Sequence, residues 1–332
     1  MALIERDISA EALRGRSVLV TGATGSFGQT CVDTLLQHTE VARVVVFSRD
    51  ELKQYQMQQR FGQNDRLRFF LGDVRDRDRL LRAFDGVDVV IHAAALKQIP
   101  AAEYNPFEFV KTNVLGAQNI IDAAIDQGVT KVIALSTDKA SSPINLYGAT
   151  KLVSDRLFVA GNAYSGSKPT RFSVVRYGNV VGSRGSVVKT LQSLAAGDSF
   201  DLTDPRMTRF WITLDQAVRF VLAALDQMHG GEIFVPKLPS MKLVDLVEAI
   251  APHVKPGVSG IRPGEKLHEE MISVDEARHT IDRGDHYAVL PEIDWSGQQT
   301  LTGESLPADF RYASDSNEEW LDAAALRALI GG

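Results

Sequence analysis

Short runs of apolar residues recur along the first half of this chain, with helical patterns between them. Each run is continuously hydrophobic rather than alternating, which is typical of strands buried on both faces of a sheet. Repeated strand–helix units predict an α/β fold with a parallel, doubly wound sheet. The predicted strands are Ser17–Thr21, Arg43–Phe47, Leu67–Leu71, Val87–His92, Lys131–Leu135 and Phe172–Arg176.

Composition excludes several classes of function for this chain of 332 residues. Thirty-six basic against 42 acidic residues give a net charge of -6, so no basic excess points to nucleic acid or an anionic membrane. Cys31 is the one cysteine and rules out an intramolecular disulfide. The first residues carry charges where a signal peptide is apolar, and no apolar run approaches the roughly 18 residues that span a bilayer. We therefore expect a soluble, cytoplasmic protein.

Glycines mark the turn after the first predicted strand. The segment Thr21–Gly28 (TGATGSFG), called the glycine loop below, has the spacing G-x-x-G-x-x-G before a helix predicted at Phe27–Gln37. Gly22 permits a tight turn, Gly25 lets backbone N–H groups approach a pyrophosphate, and Gly28 allows close helix–strand packing. An ordinary tight turn is the alternative. The residues between these glycines that we expect at a dinucleotide are Thr24, Ser26 and Phe27.

The end of the second predicted strand bears on which dinucleotide binds. A carboxylate about 20 residues after the glycines would bind the ribose 2′-hydroxyl of NAD. Here Ser48 and Arg49 end the strand, and Lys53 follows closely. A hydroxyl and two cations suit a 2′-phosphate, so we predict NADP, although Asp50 and Glu51 weaken this preference. The alternative is that Arg49 and Lys53 belong to a solvated helix start.

Two further strand ends are predicted to contact the cofactor. Asp73, followed by Val74, could accept a hydrogen bond from the adenine amino group or cap the next helix. The small side chains of Ala93, Ala94 and Ala95 leave room for a dinucleotide on the strand ends. His92, just before them, is expected to be a buried core histidine.

The pattern loosens after about residue 180, where glycine, proline and charge are scattered. One further strand is predicted at Gly231–Pro236, and we expect it to return to the sheet. We predict an NADP-binding Rossmann domain over residues 1–180, with a returning segment at 210–240. A smaller mixed substrate-binding region would take residues 181–209 and 241–332.

Tyr147 and Lys151 are spaced i and i+4, which places both on one face of a helix expected to begin near Leu146. A free tyrosine has a pKa near 10. A neighbouring ammonium and an oxidised nicotinamide would both stabilise the phenolate and lower that pKa. Tyr147 is then predicted to take a proton from a substrate hydroxyl while hydride leaves the same carbon, and Lys151 to hold the nicotinamide ribose.

Asp138 and Lys139 follow the fifth strand, at the edge where doubly wound sheets bind ligands. An adjacent acid and amine at that edge could form an acid/base pair. Lys139 has an ordinary pKa near 10.4, so it must be desolvated or lie near cations to act as a base. We expect Lys151 and the nicotinamide to supply that positive environment. The alternative is an exposed Asp–Lys pair in a loop.

With these residues in place, the chain resembles the extended short-chain dehydrogenases/reductases. It is more closely similar to the inverting UDP-N-acetylglucosamine 4,6-dehydratases, the first enzymes of pseudaminic acid synthesis. The discriminating segment is STDKA, because many relatives share the glycine loop and the Tyr147/Lys151 pair. The similarity runs from about residue 15 to 325, and its segments are TGATGSFG, SRDELKQ, GDVRD, HAAALKQIP, NVLGAQN, STDKASSPINLYGATK, RYGNVVGSRGS, MTRFWIT, RPGEKLHE and SDSNEEWL.

The resemblance implies conversion of UDP-N-acetylglucosamine to UDP-2-acetamido-2,6-dideoxy-β-L-arabino-hex-4-ulose. Tyr147 deprotonates the C4 hydroxyl as hydride passes from C4 to NADP. Lys139 removes the C5 proton that the new ketone acidifies, and Asp138 protonates the departing C6 hydroxyl. Hydride then returns to C6 and C5 is reprotonated from the opposite face, so the tightly bound cofactor is recycled. Thr137 would orient the sugar or Tyr147.

The resemblance implies further contacts and an assembly state. Lys97 would touch the substrate, Asn179 would hold the sugar nucleotide, and Val180 would line the nicotinamide side. The resemblance also implies a homo-oligomer, specifically a hexamer. It implies no metal site. The arginines implied for the diphosphate, because guanidinium forks suit phosphate oxygens, are Arg206 and Arg209, or Arg262; each could instead form an interface salt bridge.

Several alternatives stay open from the sequence. A dehydratase that retains the C5 configuration and a nucleotide-sugar C4 epimerase would share the fold, the glycine loop and Tyr147/Lys151. The epimerase would not need Asp138 and Lys139, and the retaining enzymes are often larger and membrane-anchored. A non-catalytic NADP-binding regulator would be a different class, but such proteins commonly lose the Tyr/Lys pair. The nucleotide of the substrate could also be GDP rather than UDP.

Overall fold

The computed structural model describes residues 11–183, 187–195, 198–293 and 301–331. Parts of the predicted domain 1–180 and of the predicted region 181–209 and 241–332 therefore lie outside the described residues. In chain order the strands are β1 (Ser17–Thr21), β2 (Arg43–Ser48), β3 (Leu67–Leu71), β4 (Val89–His92), β5 (Lys131–Thr137), β6 (Arg171–Tyr177), β7 (Asn179–Val180), β8 (Asp201–Leu202), β9 (Thr208–Ile212), β10 (Ile233–Pro236), β11 (Ser240–Lys242), β12 (Gly257–Val258), β13 (Glu270–Ile272), β14 (Thr280–Asp282), β15 (His286–Val289), β16 (Glu304–Ser305) and β17 (Tyr312–Ala313).

Helices alternate with strands in the first half. Short 3-10 turns at Glu11–Leu13 and Asp138–Ala140 and a π-helical turn at Val110–Leu115 complete the helical elements. The α-helices are α1 (Ser26–His38), α2 (Glu51–Phe61), α3 (Arg77–Phe84), α4 (Ile99–Tyr104), α5 (Pro106–Phe109), α6 (Gly116–Gln127), α7 (Leu146–Tyr164), α8 (Val187–Gln192), α9 (Leu214–Gln227), α10 (Leu243–Ile250), α11 (Val274–Ala277) and α12 (Ala323–Gly331).

Ten of the described strands form one sheet in the order β16-β14-β15-β10-β6-β5-β4-β1-β2-β3. The pairs from β3 to β10 are parallel, which confirms the predicted doubly wound α/β fold. The strand predicted at Gly231–Pro236 is β10, and it pairs with β6 in parallel. The strands β15, β14 and β16 then extend this edge in antiparallel fashion. The proposed division into two regions stays a prediction.

The six strands predicted in the first half are all present, with small shifts at their ends. β5 continues to Thr137 because Ser136 and Thr137 pair with Arg176 and Tyr177 of β6. This extra length carries the chain directly into the Asp138–Ala140 turn at the carboxyl edge of the sheet.

Buried side chains fill the space between the sheet and its helices. Every residue of β1 is buried, as a central strand covered on both faces requires. A second, smaller core lies around Trp211, Leu246 and Leu326, where α10 and α12 pack together. The described residues contain no helix that is long and apolar enough to cross a membrane.

The strand order reverses between β1 and β4, since β2 and β3 lie on one side of β1 and β5 and β6 lie beyond β4. Ligands of doubly wound sheets bind in the crevice outside the carboxyl ends of the strands at such a switch point. His92, at the end of β4, is buried and its Nδ1 shares a 2.8 Å hydrogen bond with Thr21 Oγ1. The predicted core role of His92 therefore agrees with its position.

Candidate active site

The glycine loop forms a close-packed turn at the switch point. Gly22 has φ of 65°, and a Cβ there would lie 2.9 Å from the backbone of Ala94. A Cβ on Gly28 would lie 2.4 Å from Ala23 Cα, so α1 can approach β1 only with glycine at this position. Gly25 precedes α1 without a side-chain cap, and the first turn of α1 holds no acidic residue. These features fit the pyrophosphate of a dinucleotide, which accepts hydrogen bonds from free helix N–H groups.

A cavity of about 1030 Å³ runs along the carboxyl edge of the sheet. Every residue predicted to bind the cofactor lines it, from Gly22 to Val180. Thr137, Lys139, Tyr147 and Lys151 also line it. The predicted substrate contacts found in its walls are Lys97, Asn179, Arg209 and Arg262.

Asp138 and Arg206 are absent from the residues that line this cavity. Asp138 is fully buried in the turn after β5, where it contacts Thr137 and Lys139. Arg206 lies on the surface, where Asp204 accepts hydrogen bonds from its guanidinium. The structure therefore does not bring Arg206 to the cavity, and a contact of Arg206 with a diphosphate stays a prediction.

The residues at the end of β2 divide between the cavity and the start of α2. Asp50 is the N-cap of α2, accepting a 3.0 Å bond from the backbone N–H of Lys53, and it also pairs with the Lys53 ammonium. Lys53 therefore pairs with the N-cap residue of α2. This agrees with the alternative that Lys53 belongs to the start of a helix. Arg49 lies 3.5 Å from Asp73 Oδ2 and half of its side chain is exposed beside the cavity. Ser48 Oγ accepts a 3.0 Å bond from Gln54.

Asp73 does not cap the next helix. Its carboxylate accepts bonds from the backbone and guanidinium of Arg75, whereas Asp76 caps α3. Burial opposes ionisation of Asp73, but the bonds from Arg75 outweigh it and lower the pKa of this carboxyl group. Asp73 is therefore an ionised acceptor at the cavity wall.

Tyr147 reaches the cavity because α7 packs unusually close to the turn after β5. Asn145 caps α7 by accepting a 2.7 Å bond from the backbone N–H of Gly148. A Cβ on Gly148 would lie 2.2 Å from the carbonyl oxygen of Lys139, so glycine is required at this contact. The glycine inside the Tyr–Lys motif therefore brings Tyr147 beside Lys139.

The charges around Tyr147 differ from those expected. Burial raises the pKa of Tyr147 to about 12, and the groups that oppose this rise are the Lys139 ammonium and the Thr137 hydroxyl. Lys151 is buried and donates a 2.8 Å bond to the carbonyl oxygen of Leu135. In the protein by itself burial dominates the pKa of Tyr147, and Lys139 is the ammonium that lowers it. The predicted effect of Lys151 together with a bound nicotinamide stays a prediction.

Lys139 lies between two carboxylates. Its Nζ is 3.0 Å from Asp138 Oδ1 and 3.0 Å from Glu269 Oε1. Burial would lower the pKa of Lys139, but these two carboxylates outweigh burial and raise it. In the protein by itself Arg209 is the positive group that lowers the pKa of Lys139, and the contribution expected from Lys151 and the nicotinamide stays a prediction. Sequence spacing could not assign the Glu269 carboxylate to this site, because Glu269 is distant along the chain.

The pKa of Asp138 is also raised, but mainly by burial. Burial raises the pKa of the Asp138 carboxyl group, and Glu269 adds to this rise, while Lys139 opposes it. Asp138 Oδ1 accepts a 2.9 Å bond from the hydroxyl of Thr137. A carboxyl group that favours its protonated form beside an amine is suited to donate a proton.

The two remaining arginines have different environments. Arg209 is buried, and its guanidinium donates to the backbone carbonyls of Thr208, Lys266 and Leu267 at 2.7–3.1 Å. Its Nε lies 3.7 Å from Glu269 Oε1. Arg262 is exposed at the cavity wall, 3.8 Å from Glu265. Arg262 is thus the arginine whose guanidinium remains available to a diphosphate.

Sequence reasoning missed two buried charged residues, Glu269 in the cavity wall and Arg176 in the core. Glu269 lies in the segment RPGEKLHE, so the family resemblance contained the signal, but no residue spacing pointed to it. Arg176 is fully buried and pairs with Glu276 at 2.9 Å and Asp155 at 3.5 Å, linking β6 to α7 and α11. Within the described ranges, no group of three or more histidine, cysteine and acidic residues could hold a metal ion.

Comparisons with known proteins place this arrangement in a family. Residues 18–291 match the family described as polysaccharide biosynthesis protein. A UDP-N-acetylglucosamine 4,6-dehydratase (inverting) of Campylobacter jejuni is 52% identical over 326 residues, covering 95% of this chain and 97% of the relative. A UDP-glucose 4-epimerase of Rickettsia canadensis is 38% identical over 282 residues, covering 82% of each chain.

Two solved structures are also similar to this chain. Pen from Bacillus thuringiensis superposes with a TM-score of 0.88 at 37% identity, covering 96% of this chain and 98% of Pen. DesIV, a dTDP-glucose 4,6-dehydratase from Streptomyces venezuelae with NAD and TYD bound, has a TM-score of 0.67 at 25% identity, covering 76% of this chain and 86% of DesIV. The chain therefore belongs to the polysaccharide biosynthesis protein family and, within it, groups with the inverting UDP-N-acetylglucosamine 4,6-dehydratases.

Proposed function

We propose that this protein is a nucleotide-sugar 4,6-dehydratase that converts UDP-N-acetylglucosamine to UDP-2-acetamido-2,6-dideoxy-β-L-arabino-hex-4-ulose, with inversion at C5. The observation that carries this proposal is the contact between Asp138 and Lys139 next to Tyr147, in the same cavity as the glycine loop. A relative named for this reaction is 52% identical over nearly the whole chain, which supports the same substrate.

The bound nicotinamide dinucleotide would supply a reversible hydride acceptor. The glycine loop and the N-terminus of α1 would hold its pyrophosphate, and Ala93–Ala95 would leave room for it on the end of β4. Lys151, fixed by its 2.8 Å bond to Leu135, would hold the nicotinamide ribose. DesIV contains NAD in its solved structure, which supports a dinucleotide of this class here.

Tyr147 accepts the proton of the C4 hydroxyl as this carbon is oxidised. Its high pKa in the protein by itself means that the phenolate is a strong base once formed. The Lys139 ammonium and the Thr137 hydroxyl both stabilise that phenolate. Oxidation at C4 then acidifies the hydrogen on C5.

Elimination uses the Asp138–Lys139 pair. Before elimination the proton of the pair is on Lys139, whose pKa the two carboxylates raise. The Lys139 ammonium then passes this proton to Asp138, whose pKa burial raises, and becomes the neutral amine that removes the C5 proton. Asp138 supplies the proton for the departing C6 oxygen, which leaves as water. Because Asp138 itself is buried behind the cavity wall, the Thr137 hydroxyl, which lines the cavity and bonds Asp138 at 2.9 Å, passes that proton to the sugar.

Arg49 supports NADP as the preferred dinucleotide. Its guanidinium lies at the cavity wall, and the Asp50 carboxylate is engaged by the start of α2 and by Lys53. A carboxylate held in this way is a poor acceptor for a ribose 2′-hydroxyl. The Arg49 guanidinium, half-exposed at the cavity wall and 3.5 Å from Asp73 Oδ2, suits a 2′-phosphate.

Exposed aromatic side chains near α4 and α5 favour self-association of the protein. Tyr104 and Phe107 are 86% and 60% exposed, and large apolar side chains exposed close together favour a protein contact. This supports the homo-oligomer, a hexamer by resemblance, which light scattering of the purified protein would test. The family resemblance supports the proposal that the product enters pseudaminic acid synthesis.

Proton NMR of the reaction in heavy water tests the proposal. UDP-N-acetylglucosamine should give a 4-keto-6-deoxy sugar of L-arabino configuration, with deuterium at C5 and no consumption of added NADP. GDP-N-acetylglucosamine, assayed in parallel, should react much more slowly. Deuterium at C5 with unchanged configuration would indicate the retaining dehydratase instead.

A C4 epimerase is the second candidate, favoured by the 38% identity to a Rickettsia UDP-glucose 4-epimerase. It would give a C4-epimerised sugar that keeps its C6 oxygen. The contact between Lys139 and two buried carboxylates argues against it, since epimerisation at C4 requires no base at C5. Bound dinucleotide with no change in any sugar nucleotide would instead indicate a non-catalytic regulator.

A further inference from the structure

A buried glutamate from the second half of the chain completes the environment of Lys139. Glu269 Oε1 and Asp138 Oδ1 each lie 3.0 Å from Lys139 Nζ. The side chains of Asp138 and Glu269 are 1% and 2% exposed, against 19% for Lys139. The lysine is thus the member of this trio that is most open to the cavity.

The two contacts restrict how the amine can turn. A lysine ammonium has three N–H donors, and two of those on Lys139 face Glu269 and Asp138. The third position on Nζ is left for the cavity that Lys139 lines. Once Lys139 has passed one proton to Asp138, the neutral amine has two N–H groups and a lone pair. Rotation about Cε–Nζ that keeps both N–H groups toward the two carboxylates turns the lone pair toward the cavity.

Glu269 is itself held in place by its surroundings. Its backbone N–H donates a 2.9 Å bond to Ser314 Oγ. Arg209 Nε lies 3.7 Å from Oε1, and the Arg209 guanidinium binds the backbone carbonyls just before Glu269. Lys266 Nζ donates a 2.7 Å bond to the carbonyl oxygen of Ser141, which ties the same segment to the turn that carries Lys139.

One carboxylate oxygen of Glu269 makes no hydrogen bond within the described part of the fold. Glu269 Oε2 is buried and has no hydrogen-bond partner among the described residues. Leaving a buried acceptor unpaired costs free energy, so a glutamate that served the fold alone would gain by pairing both oxygens. The charges that face Glu269 are Lys139, Arg209 and Lys266, with Asp138 as the opposing carboxylate.

We propose that Glu269 is a positioning residue for the C5 step: it holds Lys139 between two carboxylates, so that the basic position of Nζ is presented to the sugar. This inference rests on the proposed function. In that step the C5–H electron pair becomes the C5–C6 double bond and the proton completes the Lys139 ammonium. The C6–O bond breaks, and the oxygen takes the proton supplied by Asp138 and leaves as water.

The test replaces Glu269 by glutamine, which has the same shape but lacks the negative charge that holds the Lys139 ammonium. The partners of Glu269 are cations, so loss of the charge weakens this contact more than it would a contact with neutral hydroxyls. Oxidation at C4 depends on Tyr147 and precedes the step that needs Glu269. The Glu269→Gln variant should therefore form the ketone and then stall, so that the near-ultraviolet absorbance of reduced nicotinamide accumulates during turnover. We expect kcat to fall roughly 10²-fold, as for other losses of positioning, while KM changes by less than about threefold.

Glu270→Gln is the matched control, since it is the adjacent glutamate. Glu270 Oε1 accepts bonds from Ser141 Oγ at 3.2 Å and Ser142 Oγ at 2.7 Å, and a glutamine oxygen can accept both. Glu270 does not line the cavity. This variant should keep wild-type kcat and show no accumulation of reduced nicotinamide.

Wild-type turnover in Glu269→Gln, or a raised KM at unchanged kcat, would overturn the inference. If that variant does not fold, Glu269→Asp replaces it, because aspartate keeps the charge but is one methylene too short for the 3.0 Å contact. It should show the same stall, and full activity would count against the proposal. A wild-type enzyme that makes no 4-keto-6-deoxy sugar would instead refute the proposed function.

Discussion

The α-carbon of Gly148 faces the carbonyl oxygen of Lys139 so closely that a Cβ would lie 2.2 Å from that oxygen. This contact fixes the helix that carries Tyr147 against the turn that carries Asp138 and Lys139. The proton-transfer groups of the site therefore come from two elements that meet at a glycine.

Gly148→Ala should separate these two elements. A backbone carbonyl cannot move aside like a side chain, so α7 must shift, at a cost of about 1–3 kcal/mol. We expect kcat to fall about 10²-fold because Tyr147 is displaced from Lys139. Gly128→Ala is the control: it also costs stability, since φ is 70° there, but nothing lies within 4 Å of the added Cβ. Steady-state kinetics and urea unfolding of both variants provide the measurement. Full activity in both variants would contradict the role proposed for the contact between Gly148 and Lys139.

Lys139→Ala should block elimination while bound dinucleotide persists, because the glycine loop that holds the dinucleotide is intact. The change also leaves Asp138 and Glu269 buried without their shared cation. Removing one partner of such a buried group destabilises a protein by about 3 kcal/mol or more. Cofactor content after purification and the urea midpoint measure the two effects, and loss of the dinucleotide would point to a purely structural lysine.

His92 should make the folded state sensitive to acid. Burial, aided by the charge of Lys151, lowers the pKa of His92 from 6.5 to about 3. Between these values the unfolded chain binds a proton that the folded chain does not, so stability falls as pH drops, by up to ~1.4 kcal/mol per pH unit. His92→Asn should show a shallower loss of unfolding free energy between neutral pH and about pH 5. Equal slopes for the two proteins would contradict this assignment.

Arg49→Ala should weaken NADP binding more than NAD binding. Arg49 lies at the cavity wall, and a charge-assisted bond to a 2′-phosphate is expected to be worth roughly tenfold or more in affinity. Lys53→Ala should have a smaller effect, because Asp50 already engages that ammonium. Titration of each variant with both dinucleotides provides the measurement, and an unchanged NADP/NAD ratio in Arg49→Ala would argue against NADP.

The three candidate arginines should respond differently to alanine substitution. Arg262→Ala should raise KM about tenfold, since its exposed guanidinium is the one available to a diphosphate. Arg206→Ala should behave like the wild type, because Arg206 lies outside the cavity beside Asp204. Arg209→Ala should lower the unfolding midpoint and kcat, as three backbone carbonyls lose their donor. A normal KM in Arg262→Ala would remove Arg262 from the diphosphate site.

Local sequence patterns were enough to predict the parallel sheet, the glycine loop and the candidates Tyr147, Lys151, Asp138 and Lys139. These features are local: a strand buried on both faces is a continuous apolar run, and a helix brings residues i and i+4 together. The resemblance to known dehydratases added the reaction and the discriminating STDKA segment.

Tertiary structure decided the electrostatics of the site. Glu269 lies 130 residues beyond Lys139 by their sequence numbers, and only folding brings their charged atoms to 3.0 Å. Folding also brings the guanidinium of Arg209, which the resemblance implied as a diphosphate ligand, to the backbone beside Glu269. A pKa depends on burial and on every charge within a few ångströms, and sequence spacing fixes neither of these.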